Sequence, residues 1–163
     1  MRYQEKKLYE QPGRVIIKTL TRVDYHLDKY RRLAGAVEVL EQSDAEDVFF
    51  IKTRRQSHID VPLPDFARKL VPTHLHIVQS ERWDRRSLSG ELRIELPGLP
   101  VQISAQMSLH DTATGCEQIL DFNLVVAVPL FASKLESLLA EDFRKKFAAD
   151  AEASHSAFVA YVD

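Results

Sequence analysis

The sequence is poor in the residues that usually mark a chemistry. One of its 163 residues is cysteine, so no intrachain disulfide can form, which fits a reducing compartment. Its five glycines form no G-x-G-x-x-G, Walker or G-x-S-x-G pattern, and Ser87 to Glu91 lacks the glycine density of a phosphate loop. No cofactor is therefore expected. Neither sign of charge dominates: 22 Lys and Arg stand against 24 Asp and Glu, a net charge of -2. A general nucleic-acid binder needs a concentrated basic surface to replace phosphate counterions. The short basic clusters at Arg31-Arg32, Arg54-Arg55, Arg85-Arg86 and Arg144 to Lys146 have no interleaved aromatics in an RNA-binding pattern, so no nucleic-acid partner is expected. The longest apolar run, Leu124 to Ala132, is too short to span a bilayer and contains Pro129. Met1 to Lys7 carries no apolar segment of the signal-peptide type. A cytoplasmic location with no transmembrane segment is the expectation.

What is present suits one α+β domain covering residues 1–163, with 45% apolar and 28% charged residues. Tyr3 to Tyr9 alternates and is expected to form a first strand, ended by Pro12-Gly13. Two short helices follow. The first spans Val15 to Leu20. The second spans Tyr25 to Leu33, with Asp24 as its cap, Leu27, Tyr30 and Leu33 at helical spacing, and Gly35 as its stop. Strands are expected over Ala36 to Gln42, Val48 to His58, Leu75 to Arg85 and Leu88 to Leu96, with Ser43 to Asp47 as a turn and Asp65 to Leu70 as a short helical turn.

The next two segments have the clearest period of two. Val101, Ile103, Ala105, Met107 and Leu109 share one face; Cys116, Gln118, Leu120, Phe122, Leu124 and Val126 share another. Together they predict an antiparallel hairpin turning at Asp111 to Gly115. From Pro129 the period changes. Leu135, Leu138, Leu139, Phe143 and Phe147 form an apolar stripe on a long helix reaching about Ala160, leaving Glu141, Lys145, Lys146 and Asp150 for its other faces.

This order resembles the helix-grip fold of the START-like (Bet v 1-like, or polyketide cyclase/dehydrase-type, SRPBCC) superfamily. Within it, the sequence resembles an uncharacterised bacterial family of domains of unknown function. The resemblance rests on "MRYQEKKLY", "HIDVPLPDFARKLVPTHLHIVQSERWD" and "VPLFASKLESLLAEDF". It implies a curved antiparallel sheet wrapped around the C-terminal helix, with a cavity between them of the kind that holds lipids, sterols or polyketides in such proteins. It supplies no catalytic motif.

The candidate ligand-binding residues are Glu81 and Trp83 on one strand face, Leu135, Leu139 and Phe143 on the long helix, and Phe66 and Leu70 as a lid over an opening near Pro62 to Pro72 and Leu130. Sequence periodicity does not distinguish a cavity wall from a filled core. A carboxylate in an apolar cavity can serve as acid or base, which makes Glu81 the first candidate for catalysis, with His76 and Asp121 behind it. The two imidazoles of His74 and His76 do not complete a usual metal site, and His58 and Asp60 join them only if the fold brings the segments together; Cys116 has no partner base in the local sequence. No metal is expected. Three functions are compatible with these residues: a carrier or sensor of a small apolar or amphipathic molecule, a cyclase, dehydratase or hydrolase-like enzyme, and an adaptor for a protein partner. Homodimerisation is left open.

Overall fold

The computed structural model describes residues 1–72, 74–128 and 130–161. Seven antiparallel strands form one sheet in the order β1-β7-β6-β5-β4-β3-β2: β1 (Arg2–Tyr9), β2 (Glu38–Ala45), β3 (Val48–His58), β4 (His74–Asp84), β5 (Ser89–Glu95), β6 (Val101–Thr112) and β7 (Gly115–Val126). Helices α1 (Gly13–Leu20) and α2 (Val23–Ala34) link the two edge strands β1 and β2. A single helical turn, α3 (Asp65–Arg68), lies in the connection from β3 to β4, and α4 (Ala132–Phe158) packs across the concave face. The sheet therefore curves around one long helix, with two short helices after the first strand. Among the described residues, no helix is long and apolar enough to cross a membrane.

Alternation explains the central strands. In β6, Val101, Ile103, Ala105, Met107 and Leu109 are buried, and in β7 the same holds from Cys116 to Val126 at every second position. The hairpin is longer than expected, since β6 continues to Thr112 and pairs it with Gly115. Gly115 is required there: a Cβ on it would lie 1.9 Å from the Tyr9 carbonyl oxygen. Gly115→Ala is expected to push β1 off β7 and to destabilise the domain by roughly 1–3 kcal/mol, as over-packing does. Chemical denaturation, with amide exchange in β1 as the local readout, checks this. Unchanged stability and unchanged β1 protection would refute it.

Three local expectations change. The segment Ser43 to Asp47 is not all turn: β2 runs to Ala45, and the chain reverses at Glu46-Asp47 with Glu46 at φ 56. β2 is an exposed, polar edge strand with a bulge between Val39 and Glu41, so it has no buried alternation to reveal it. The Arg85 guanidinium pins this corner by donating to both Asp44 carboxylate oxygens at 2.7 and 2.9 Å. Second, α2 begins at Val23, so Asp24 sits inside its first turn and accepts from the Tyr25 amide instead of capping. Gly35 ends the helix at φ 76, where a left-handed residue is needed. Third, α4 starts at Ala132 behind Phe131; Pro129 lies outside the described residues.

Which faces are buried matters more for function. In α2 the buried residues are Tyr25, His26, Lys29 and Tyr30, whereas Leu27 and Leu33 are only partly covered. In α4, Leu135 and Leu139 are buried as the stripe requires. The same helical track then continues through Asp142, Lys146, Asp150 and Ser154 before it returns to Ala157 and Phe158. The middle of α4 thus turns polar groups toward the sheet.

Candidate functional site

Where α4 turns polar, the sheet and helices do not close completely. A cavity of about 90 Å³ remains between the inner sheet face, α2 and α4. One wall is apolar, formed by Ile77, Leu92, Ile94, Leu120, Phe122, Phe143 and Phe147. Polar groups share the lining: Lys7 of β1, Lys29 of α2, Arg55 of β3, Gln79 and Glu81 of β4, Gln118 of β7 and Asp150 of α4. Strand register sets polar and apolar lining residues side by side. On the inner face of β3 and β4, Ile51 pairs with Glu81, Thr53 with Gln79 and Arg55 with Ile77, while β5 sets Leu92 beside Glu81 and Ile94 beside Gln79.

Glu81 is the hub. Its Oε1 accepts from the Tyr30 hydroxyl at 3.0 Å and from Gln79 Nε2 at 3.0 Å, and its Oε2 faces Trp83 Nε1 at 3.4 Å. Lys29 Nζ lies 3.9 Å from Glu81 Oε1 and 3.6 Å from Asp150 Oδ2, so one ammonium spans both carboxylates. Lys7 Nζ closes the row, 2.6 Å from Asp150 Oδ1. His26 Nε2 is 2.8 Å from the Leu20 carbonyl oxygen and must carry the hydrogen there, which leaves Nδ1 facing Glu81 at 4.0 Å.

These contacts fix the protonation states. Burial acts to raise the Glu81 pKa, but the Lys29 charge, the neighbouring His26 ring and the Tyr30 hydrogen bond outweigh it and bring it down to about 2. Burial lowers the His26 pKa, so the ring is neutral at pH 7 and Lys29 is the operative cation. Burial opposes the Lys29 ammonium as well; Asp150, Tyr30 and Glu81 nevertheless hold its pKa well above the ordinary value. Asp150 is likewise pushed up by burial and pulled down further by Lys29 and Lys7. Burial raises the phenols of Tyr9, Tyr25 and Tyr30, so all three are protonated at neutral pH.

A depressed folded-state pKa stabilises the fold above the unfolded pKa and loses that contribution as pH falls. For Glu81 the window runs from about 4.5 down to about 2. The contribution is on the order of 3 kcal/mol. Stability measured by denaturant titration should therefore fall less between pH 5 and pH 2, both approximate limits, in Glu81→Gln than in the parent chain. Parallel curves would contradict the assignment.

The sequence candidates are placed as follows. Glu81 and Phe143 line the cavity. Trp83 is fully buried beside Glu81, behind the lining, and Leu135 and Leu139 are fully buried where α4 meets the sheet. Phe66 stacks on Phe131 with ring centroids 4.6 Å apart, and Leu70 is exposed. These last two do not line the cavity. His74, His76 and Asp121 are exposed, and Asp121 accepts from Gln4 at 2.7 Å. Cys116 is buried, and burial raises its thiol pKa. Among the described residues no group of three or more His, Cys, Asp or Glu could hold a metal ion.

Lys7, Lys29, Arg55, Gln79 and Asp150 were not singled out by sequence reasoning. The signal that could have found Lys29, Arg55 and Gln79 is position: each sits in register with buried neighbours on its own strand or helix. A wider depression of about 420 Å³ adjoins the cavity, lined by Leu33, Gln56, His58 and His74 among others. The two share Arg55, Ile77, Lys146 and Asp150.

A curved antiparallel sheet closed on a long C-terminal helix, with two short helices after the first strand, defines the START-like helix-grip fold. Solved structures of this fold match the chain almost end to end. The protein TTHA0849 from Thermus thermophilus is 13% identical, covers 98% of this chain and 97% of its own, and superposes with a TM-score of 0.64. The ZhuI aromatase/cyclase from Streptomyces sp. R1128 is 12% identical over 96% of this chain and 93% of its own, also at 0.64. SA2116 from Staphylococcus aureus, a protein of unknown function, is 11% identical over 97% and 95%, at 0.54. Identities this low establish the fold alone. No curated protein matches the sequence. The chain belongs to the family of proteins of unknown function DUF2505, which matches residues 6–156.

Proposed function

We propose that this chain is a carrier or sensor that holds a small apolar or amphipathic molecule between its sheet and α4. The observation that carries this reading is the cavity itself, with one apolar wall and polar lining groups from six elements. Pockets of this composition gain affinity from apolar burial and orientation from a few polar groups. Native mass spectrometry of the chain after exposure to a metabolite extract tests it. A retained small molecule supports the reading. Repeated absence of any adduct, together with no thermal shift across an apolar-metabolite panel, would reject it.

An enzyme is the second reading, since one protein of similar fold is an aromatase/cyclase. Glu81, the expected acid or base, weighs against it. A proton-transfer group works best with a pKa near the operating pH. The Glu81 carboxylate, with a pKa of about 2, is committed to donors on both oxygens. It orders the polar lining of the cavity and is ill-suited to move a proton. An adaptor role draws on the exposed Leu130 and Phe131 at the start of α4. A stoichiometric protein partner that binds there without any small molecule would favour it.

A further inference from the structure

The charges around the cavity are unequal. Lys7 and Lys29 are matched by Asp150 and Glu81. Lys146 is occupied outside, by Asp142 and Asp60. Arg55 remains. Among the described residues it has no carboxylate in ion-pair contact; its Nη2 donates to Gln79 Oε1 at 2.9 Å, and its guanidinium lies over the Tyr30 ring at 4.5 Å. Its Nη1 is buried and finds no acceptor within the protein. A buried donor without an acceptor has given up its water partners and gained nothing in return, so the fold bears a cost that a bound acceptor would remove. Arg55 also stands at the junction, lining both the cavity and the outer depression.

We infer that the bound molecule is a monoanion, a carboxylate on a short apolar tail, whose head is held by the Arg55 guanidinium while its tail lies along Ile77, Ile94, Leu120 and Phe143. This rests on the proposal that the cavity binds a small molecule and adds the chemistry of its head group. The fork of a guanidinium matches a planar carboxylate in a way that an ammonium does not. The Tyr30 ring and Gln79 hold that fork in one orientation, with Nη1 left to donate. Asp150 lies at the same junction but is held by Lys7 and Lys29, so it does not neutralise Arg55 by contact. The size of the enclosed space, about 90 Å³, limits the tail to a few carbons. An apolar cavity of about 150 Å³ is what it takes to accept benzene.

Calorimetric titration with butanoate and with the nearly isosteric butanamide tests the assignment. The parent chain should bind butanoate roughly ten- to a hundredfold more tightly than butanamide, the range expected of a hydrogen bond to a charged group. In Arg55→Gln that ratio should fall toward one, and Arg55→Lys, with the charge but not the fork, should restore only part of it. Equal binding of acid and amide by the parent chain would overturn the head-group inference while leaving the cavity proposal standing. A preference for the acid that survives in Arg55→Gln would overturn the role of Arg55. Binding of neither compound would overturn this inference, while the adduct and thermal-shift measurements decide the reading beneath it. Melting curves of each variant identify any loss that comes from unfolding, and the acid-to-amide ratio in Arg55→Lys remains decisive if Arg55→Gln does not fold.

Discussion

Replacing Lys29 by Met is expected to destabilise the domain by about 3–5 kcal/mol at neutral pH, the usual cost of removing one partner from a buried charge pair. Lys29 and Glu81 are both nearly inaccessible, and Lys29 is the largest opposing influence to the burial that pushes the Glu81 pKa up. Without the ammonium, burial dominates. Glu81 then takes up a proton in the folded state at a higher pH, and Asp150 keeps Lys7 and the Ser154 hydroxyl. Denaturant unfolding gives the stability, and carbon-detected titration of the Glu81 carboxyl gives the direction of its pKa. A loss below about 1 kcal/mol, typical of an exposed pair, would show that solvent reaches the cluster freely. The double variant Lys29→Met with Glu81→Leu should recover much of the loss, because matched apolar groups often replace a buried pair without penalty.

Truncation along α4 should separate core from cavity wall. Leu139→Ala is expected to cost about 2–5 kcal/mol, since the side chain is fully buried and its removal leaves a void. Phe143→Ala should cost about 1 kcal/mol, because the half-buried ring already borders open space and gives up only part of the area a packed ring would. The two substitutions lie one helical turn apart, so a shared effect on helix propensity is small. Equal losses at both positions would mean that the space beside Phe143 is filled in solution. A larger cavity in Phe143→Ala should also accept longer acids than the parent chain does.

The fold was legible because its most regular elements bury one face each. The period of two in Val101 to Leu109 and Cys116 to Val126, and the change of period into α4, are consequences of a sheet with one covered side. β2 was less legible because an exposed edge strand buries almost nothing. The polar lining of the cavity was hidden for the opposite reason. Lys29 is buried and Lys7, Arg55 and Asp150 are half-buried by their positions, yet their residue types suggest solvent. Asp142, Lys146 and Asp150 follow Leu139 at spacings of three and four, so the track was present in α4. Treating its charged members as outward-facing broke it. Glu81 was found because its face could be read from Trp83 two residues on, but its partners come from α2, β1 and α4 and are joined only in three dimensions.

The most direct measurement of whether the cavity is a binding site is an amide-resolved NMR titration of the labelled chain with butanoate. The account predicts saturable shifts centred on the cavity strands and helix, at Arg55, Gln79, Glu81 and Phe143, with the outer surface around Asp121 and His76 unmoved. Shifts that never saturate, or that gather at Leu130 and Phe131 while the cavity residues stay still, would contradict it.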